Sequence, residues 1–368
     1  MKEHEFTSVI RDMLFDEFGE ISTEIFEKSL LIQYLNEKTV SASRGSKSRA
    51  SFGNIYALYV LIEDYIQQGY HISRDYEGAE GAAFSDLLQR QRELPFGSKL
   101  QNHALNHRLN QEFLKYFPLA ETPPILRDPE THRYWINEYL LIIEINGKEY
   151  QLAGILLKII EAYIDSKQES LQSFIQDCEK MQKFSTEKPD KVITFVSSLL
   201  RPNVDARIFE IVSFAILKTH YGDKSIYWGW ELENIEKDTL TLYKTGRTNA
   251  NDGGIDFVMR PLGRFFQVME TLDLKKYFLD IDKVQKYPLT FVVKTELDIS
   301  EITQKIRKQA KKQYPVRSII ERYMTSIEEI INIPILLEQL EEIAKSGKIQ
   351  SVVDEIIKHS RVEFDIEL

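Results

Sequence analysis

The chain has few of the residue types that define several common classes of site. It has one cysteine, Cys178, among 368 residues, which excludes an intramolecular disulfide framework and a zinc site built from several cysteines. Cys178 lies in an amphipathic segment, which favours a packed thiol over a nucleophile. No apolar run reaches the roughly 18 residues of a membrane span, and no secretory signal opens the chain. We therefore expect a cytoplasmic protein without a membrane segment.

An excess of basic charge is also lacking, because the formal net charge is -10. Affinity for DNA comes largely from displaced phosphate counterions, so an acidic chain does not coat nucleic acid non-specifically. Any DNA contact must use local basic clusters. Hydrophobic residues make up 43% and charged residues 28%, which is typical of a folded globular chain, and the length predicts two or three domains.

Composition and periodicity divide the chain into four segments. We predict a helical region over residues 1–125, a β-hairpin with connecting helices over 126–200, a mixed core over 201–298 and helices over 299–368. Asn146-Gly147 between two apolar runs predicts a type I′ hairpin turn. The predicted fold class is α+β or α/β, with a mixed β-sheet core flanked by helices, a helical N-terminal region and a helical C-terminus.

A glycine-rich segment, Gly253-Gly254-Ile255-Asp256-Phe257, precedes a second apolar strand that contains Gln267. If the two strands pair antiparallel, the oxygens of Asp256 and Gln267 converge. Such oxygens hold a divalent ion beside a scissile phosphate, so these two residues are candidate metal ligands and catalytic residues. The alternatives are a turn acid at a strand start for Asp256, and an amide bonded to buried backbone for Gln267.

This pattern resembles the PD-(D/E)xK nuclease superfamily, in the branch where Gly-Gly-Ile-Asp is followed by Gln-Val-Lys. The resemblance covers about residues 205–295 and implies a mixed β-sheet core in which Asp256 and Gln267 hold Mg²⁺. Where the family has a lysine that orients or activates water, this chain has Met269. The segments 46–54, 94–108 and 245–254 add a broader likeness to type II restriction endonucleases.

Three residues are candidates to replace that lysine. Glu270, which we favour, would reach the site through a β-bulge at Met269, because regular alternation puts it on the opposite face from Gln267. Lys294 ends the next apolar strand, and Lys244 precedes the loop that leads to Asp256. The residues leave these alternatives open.

Glu210 is a lone acid in an apolar helical segment. The resemblance implies that a glutamate on the helix before the sheet adds a metal or water contact, which would make Glu210 a third ligand. The alternative is a solvated carboxylate near the start of the helix, stabilised by the helix dipole.

Polar and basic clusters in three segments are candidate DNA contacts. They are Arg44, Lys47 and Arg49 in a loop, Lys99, Asn102, His103, Asn106 and Arg108 on a polar helix, and Arg247 and Asn249 before Asp256. A solvated linker is the alternative for the first group, and an intersubunit contact for the second. Lys305, Lys308 and Lys312 share one helical face, for which a basic solvent surface is a commoner explanation than DNA contact.

Together these features favour a type II restriction endonuclease that cleaves double-stranded DNA at a specific sequence with Mg²⁺. A homodimer is expected because two-fold DNA sites match two-fold proteins, and a cognate DNA methyltransferase is the expected companion. The C-terminal helices are candidates for the dimer interface or for DNA backbone contact. One alternative is a nuclease fold that binds DNA or a partner without cutting. Another is an N-terminal interaction domain beside a structural nuclease fold.

Overall fold

The computed structural model describes residues 3–40, 48–98, 100–185, 187–245, 255–271, 274–284 and 286–364. The chain divides into two compact units, Met1–Ser173 and Phe174–Leu368. The segment boundary predicted after residue 125 falls inside the first unit, and each unit has its own apolar core.

The first unit is mainly helical. Its helices are α1 (Glu5–Phe18), α2 (Ser22–Lys28), α3 (Leu30–Thr39), α4 (Ser48–Gln67), α5 (Tyr70–Ser73), α6 (Phe84–Glu93), α7 (Leu109–Tyr116) and the start of α8 (Ala153–Phe184). Eight consecutive residues of α4, from Ile55 to Ile62, are buried. A helix that is apolar on all sides is enclosed by its neighbours, so α4 is the central helix of this unit.

The first unit also contains five short strands, of which the first lies within the region that the sequence predicts to be helical. They are β1 (Ala82–Ala83), β2 (Ile125–Asp128), β3 (Arg133–Ile136), β4 (Ile142–Ile145) and β5 (Lys148–Gln151). The first three form a sheet in the order β1-β3-β2, and β4 and β5 form a two-stranded hairpin. The hairpin prediction is confirmed, with Asn146 at φ 52° and Gly147 at φ 76° in the turn.

The second unit consists of a mixed sheet between two layers of helices. Its strands are β6 (Ser225–Trp228), β7 (Glu236–Thr239), β8 (Thr241–Lys244), β9 (Phe257–Arg260), β10 (Arg264–Met269), β11 (Leu289–Val293) and β12 (Ile327–Ile331). Its helices, after the end of α8, are α9 (Pro189–Ser198), α10 (Ala206–Tyr221), α11 (Leu274–Lys283), α12 (Ile299–Gln313), α13 (Arg317–Thr325), α14 (Ile333–Lys345) and α15 (Ile349–Phe364).

Five of these strands form one sheet in the order β12-β11-β10-β9-β8. Strands β8, β9 and β10 pair antiparallel, whereas β10, β11 and β12 pair parallel. Phe266 and Val292 pack with α10, α14 and α15 on one face, while Met269 and Phe291 pack with α11, α12 and α13 on the other. Because successive side chains of a strand point to opposite faces of the sheet, the strands contribute to the core on both faces.

Two parts of the second unit differ from the sequence-based expectation. Helix α8, which ends in this unit, runs unbroken from Ala153 to Phe184, whereas the sequence pattern predicts two helices, at about 152–165 and 167–182. The C-terminal region contains strand β12, which corrects the prediction of helices alone after residue 299. Cys178 is buried, and burial raises the pKa of its thiol to about 12. The packed-thiol interpretation is thus confirmed.

Candidate active site at one end of the mixed sheet

The sheet topology brings the predicted catalytic residues to one end of the second unit. Lys244 ends β8, Asp256 precedes β9, and Glu270 and Lys294 directly follow β10 and β11. Because β9 runs antiparallel to β8 and β10, and β11 runs parallel to β10, these four positions share one end of the sheet. Glu210 reaches the same end from α10.

Asp256 lies at a distortion between β9 and β10. Its backbone N–H donates to the carbonyl of Phe266 at 3.0 Å, although Phe266 already pairs with Phe257. Two residues of one strand therefore oppose one residue of the other, which is the arrangement of a β-bulge. The Asp256 carboxylate accepts a hydrogen bond of 2.7 Å from the backbone N–H of Val268. This bond holds the carboxylate between the strands where they separate.

Gln267 lies in β10 beside the bulge and is 5% exposed. Its neighbours two residues away, Phe265 and Met269, pack with the helices on the α11–α13 face. Alternation places the Gln267 side chain on that face. The Asp256 carboxylate thus lies one residue along β10 from Gln267, and the convergence of their side-chain oxygens stays a prediction.

Met269 occupies the position at which the sequence resemblance would place a lysine. Its side chain is 1% exposed and packs in the core with Tyr277, Phe291 and Ile306. An amine at this place would lie in an apolar environment that disfavours charge. The chain therefore uses this position for core packing.

Glu270 and Lys294, two of the predicted substitutes for the lysine, form one ion pair. Strand β10 runs in unbroken register with β11 through Met269, so the bulge considered at Met269 does not form. Lys294 Nζ lies 3.5 Å from Glu270 Oε1 and donates a 2.7 Å hydrogen bond to the carbonyl of Val204. The Lys294 side chain is 3% exposed, so the amine is held in a fixed place.

Glu210 is buried within α10 and forms ion pairs with two cations. Its Oε1 lies 2.9 Å from Lys244 Nζ, and its Oε2 pairs with Arg207. Burial alone raises the pKa of this carboxyl, but attraction to Lys244 and Arg207 outweighs burial and lowers its pKa below the ordinary value. Glu210 is therefore ionised, and the solvated alternative is wrong. Its role as a metal ligand stays a prediction.

Sequence reasoning missed three groups that orient this site. Arg207 pairs with Glu210, the carbonyl of Val204 accepts from Lys294, and the amide of Val268 donates to Asp256. Arg207 stands one helical turn before Glu210, a spacing typical of helix ion pairs, and could have been found from that signal. The two backbone groups have no sequence signature, since any residue type supplies them.

The predicted DNA-contacting residues lie partly in the described chain. Asn102, His103 and Arg108 are exposed in the first unit, and the rings of His103 and His107 lie 6.1 Å apart. Asn106 instead accepts a 2.8 Å hydrogen bond from the Tyr134 hydroxyl. This residue supports the fold of its unit. The side chains outside the described part of the chain are those of Arg44, Lys47, Arg49, Lys99, Arg247 and Asn249.

Within the described residues no three His, Cys, Asp or Glu side chains form a group that could hold a metal ion. The same residues include no helix with the length and apolar character needed to cross a membrane. The chain matches no protein-family profile, no curated protein and no solved structure.

Proposed function

We propose that this protein is a Mg²⁺-dependent endodeoxyribonuclease of the type II restriction class. The observation that carries the proposal is the placement of the Asp256 carboxylate, held by the Val268 amide, one residue along β10 from Gln267, where β9 and β10 separate. A mixed sheet flanked by helices, with Glu210 on the helix before it, accords with the PD-(D/E)xK resemblance of the sequence.

The oxygen donors at this place suit a hard divalent cation. Asp256 offers a carboxylate and Gln267 an amide oxygen, which are the ligand types that Mg²⁺ and Ca²⁺ take. When bound, Mg²⁺ polarises the phosphoryl group and lowers the pKa of an attacking water. The Val268 amide fixes the orientation of the Asp256 carboxylate, as partners outside the ligand set do in other metal sites.

Lys294 takes the role of the family's lysine in this proposal. Its amine is anchored by Val204 and Glu270, so the positive charge stands at a defined point near the strand ends. A fixed cation of this kind stabilises negative charge that develops on a phosphate during hydrolysis. Glu270 contributes by orienting the amine, and Lys244 is held by Glu210.

We assign DNA recognition to the first unit. We also propose that the protein assembles as a homodimer. The exposed His103, Asn102 and Arg108 supply ring, amide and guanidinium groups of the kinds that contact phosphates and base edges. Each copy in a two-fold dimer would cut one strand of a symmetric site. A cognate DNA methyltransferase is the expected companion.

The test is incubation of the purified protein with several unmethylated phage DNAs, with and without Mg²⁺, followed by electrophoresis. Wild type is expected to give discrete fragments only with Mg²⁺, and Asp256→Asn to give none. Asp190→Asn changes an exposed acid on α9 in the same unit and should cut as wild type does. Intact DNA in every wild-type reaction would overturn the proposal.

A second candidate is an inactive nuclease fold that binds DNA without cutting it. The observation that favours it is the packing of Met269 into the apolar core in place of the lysine. Electrophoretic mobility shifts of the same phage DNAs separate the two candidates. Sequence-selective binding with intact DNA would support the second candidate, while Mg²⁺-dependent fragments would exclude it.

A further inference from the structure

A two-stranded hairpin on the second unit presents large apolar side chains to solvent. Strands β6 and β7 pair antiparallel directly before β8. Tyr227 is 74% exposed on β6, and Trp230 and Leu232 are 90% and 84% exposed in the connection between the strands. A contiguous exposed apolar patch is typical of a binding surface, whereas single exposed apolar residues are ordinary.

The hairpin tip has a defined shape. A Cβ on Gly229 would lie 2.3 Å from the carbonyl oxygen of Asn234, so the two sides of the connection are in close contact. The rings of Trp228 and Trp230 lie 5.7 Å apart in an edge-on arrangement. Trp228 also donates a 3.3 Å hydrogen bond from Nε1 to Asp238. A tip ordered before binding loses little conformational entropy when it docks.

Charge indicates what kind of partner fits this tip. The connection and β7 carry four acids, Glu231, Glu233, Glu236 and Asp238, against the one cation Lys237. Phosphate backbones are repelled by such a surface. Complementary charge favours a partner that is apolar at its centre and basic at its rim.

A surface with that character exists on helices α12 and α13 of the same unit. Val316 and Ile319 are 46% and 38% exposed, and the exposed cations Lys311, Lys312 and Arg317 surround them in sequence. The apolar residues of α12, such as Ile302 and Ile306, are buried in the core. The basic side chains of α12 are therefore presented outward.

The two surfaces belong to segments that join opposite edge strands of the five-stranded sheet, β8 and β12. The hairpin leads into β8 at one edge, whereas α12 and α13 connect β11 to β12 at the other. One copy therefore does not satisfy both surfaces by itself. Two copies related by a two-fold axis satisfy both, because each hairpin meets the helices of the other copy and the assembly closes.

We propose that the tip of the β6–β7 hairpin docks on helices α12 and α13 of a second copy of this chain. This inference deepens the proposed function by assigning an interface to its homodimer. Assembly is measured without DNA or metal, so the result is independent of whether the protein cuts DNA.

The first test is the mass of the full chain in solution, from size-exclusion chromatography with light scattering over a range of micromolar concentrations. Wild type should be a dimer, and Trp230→Ser with Leu232→Ser should raise the dimer dissociation constant by about 30-fold or more, as loss of central aromatic anchors does. Tyr139→Ser with Leu119→Ser changes equally exposed residues of the first unit and should leave the dimer intact. A monomeric wild type, or a dimer that tolerates the hairpin change, would overturn the proposal.

Charge reversal tests the pairing of the two surfaces. Glu231→Lys with Glu233→Lys, and separately Lys312→Glu with Arg317→Glu, should each give monomers. Mixing the two variants should restore a dimer, because in the mixed pair one contact carries both reversals and the other carries none. Monomers after mixing would refute the docking. Loss of DNA binding with unchanged mass in the Lys312→Glu, Arg317→Glu variant would assign α12 to DNA instead.

Discussion

Lys294 and Glu270 lie 3.5 Å apart, between Nζ and Oε1, at the neighbouring ends of two parallel strands. Each is a candidate replacement for the lysine that this chain lacks at Met269. Their pairing means that the two candidates do not act independently. The amine is the buried member, at 3% side-chain exposure against 28% for the carboxylate, and we propose Lys294 as the cation of the site and Glu270 as the group that orients it.

We expect Lys294→Met to lower the cleavage rate more than Glu270→Gln does. Loss of a positioned cation or proton donor typically costs about 100-fold or more in rate. Glu270→Gln keeps a hydrogen-bond acceptor beside the amine and should cost about 10-fold. Single-turnover cleavage of a defined duplex measures both rates. A larger effect for Glu270→Gln would assign the central role to the carboxylate.

Met269→Lys should destabilise the protein and fail to raise its activity. The side chain at this position is enclosed by Tyr277 and Phe291. An unpaired buried charge there should lower the free energy of unfolding by about 3 kcal/mol. Urea unfolding gives the free energy of unfolding, and the cleavage assay gives the rate. Met269→Leu, which keeps an apolar side chain, is the matched control. A faster enzyme with wild-type stability would show that this side chain points into the site.

Asp256→Asn and Asp256→Ala should separate catalysis from folding at the bulge. The asparagine retains an oxygen that accepts from the Val268 amide, whereas the alanine removes it. We expect both variants to lose about 100-fold or more of the cleavage rate, as changes around metal ligands do. Only Asp256→Ala should lose stability, by about 1 kcal/mol for the missing hydrogen bond. Full activity in the asparagine variant would show that Asp256 is not a metal ligand.

Glu210 should make the stability of the second unit depend on pH. Its pKa is lowered in the folded protein by Lys244 and Arg207, despite the opposing effect of burial. The ionised carboxyl therefore stabilises the fold above its ordinary pKa near 4.5, and this stabilisation is lost as the pH falls through the lower folded value. Glu210→Gln should cost about 3 kcal/mol at neutral pH and less in acid.

A series of urea unfolding curves between neutral pH and acid measures this dependence. Glu355→Gln is a suitable comparison, since a hydrogen bond with His359 and the charge of Lys218 lower the pKa of Glu355 to about 2 at a place outside the site. That variant should also weaken the pH dependence but leave cleavage unchanged. An equal cost of Glu210→Gln at every pH would contradict the assigned ionisation.

Arg108 and Asn106 should behave differently although they are close in sequence. Arg108 is exposed, so Arg108→Ala should weaken DNA binding and reduce the slope of log affinity against log salt by about 0.9 if it contacts one phosphate. Asn106→Ala removes the acceptor of the Tyr134 hydroxyl and should cost about 1 kcal/mol of stability. Fluorescence anisotropy at several salt concentrations and thermal unfolding provide the two measurements. Unchanged salt dependence in Arg108→Ala would exclude the phosphate contact.

The sequence predicted best the elements that periodicity or turn chemistry defines. The hairpin around Asn146-Gly147 and the strand containing Gln267 follow from such local rules. Strand β12 was missed because Ile330 and Ile331 are both buried, one against each layer of helices, so its Ile-Glu-Glu-Ile-Ile pattern does not alternate. Its pairing with β11 is a tertiary property that no local pattern encodes.

The site shows the same division between local and tertiary information. The antiparallel pairing of β9, which follows Asp256, with β10, which contains Gln267, is the consequence of a short turn between them, and it is visible in the sequence. The pairing of Lys294 with Glu270 depends on the parallel register of β10 with β11, which a crossover through α11 sets. The bulge was expected at Met269, yet the displaced residue is Asp256, because the side chain of Asp256 replaces a backbone acceptor there.

The bond from the Val268 amide to the Asp256 carboxylate makes one backbone proton a reporter of the site. A cation that binds the Asp256 carboxylate withdraws electron density from this hydrogen bond. Protonation of Asp256 also weakens the hydrogen bond. The nitrogen and proton resonances of Val268 are therefore expected to shift with Mg²⁺ and with pH, while the amides of neighbouring paired strands stay in place. Occupancy of the site then becomes a spectroscopic quantity that requires neither DNA nor turnover.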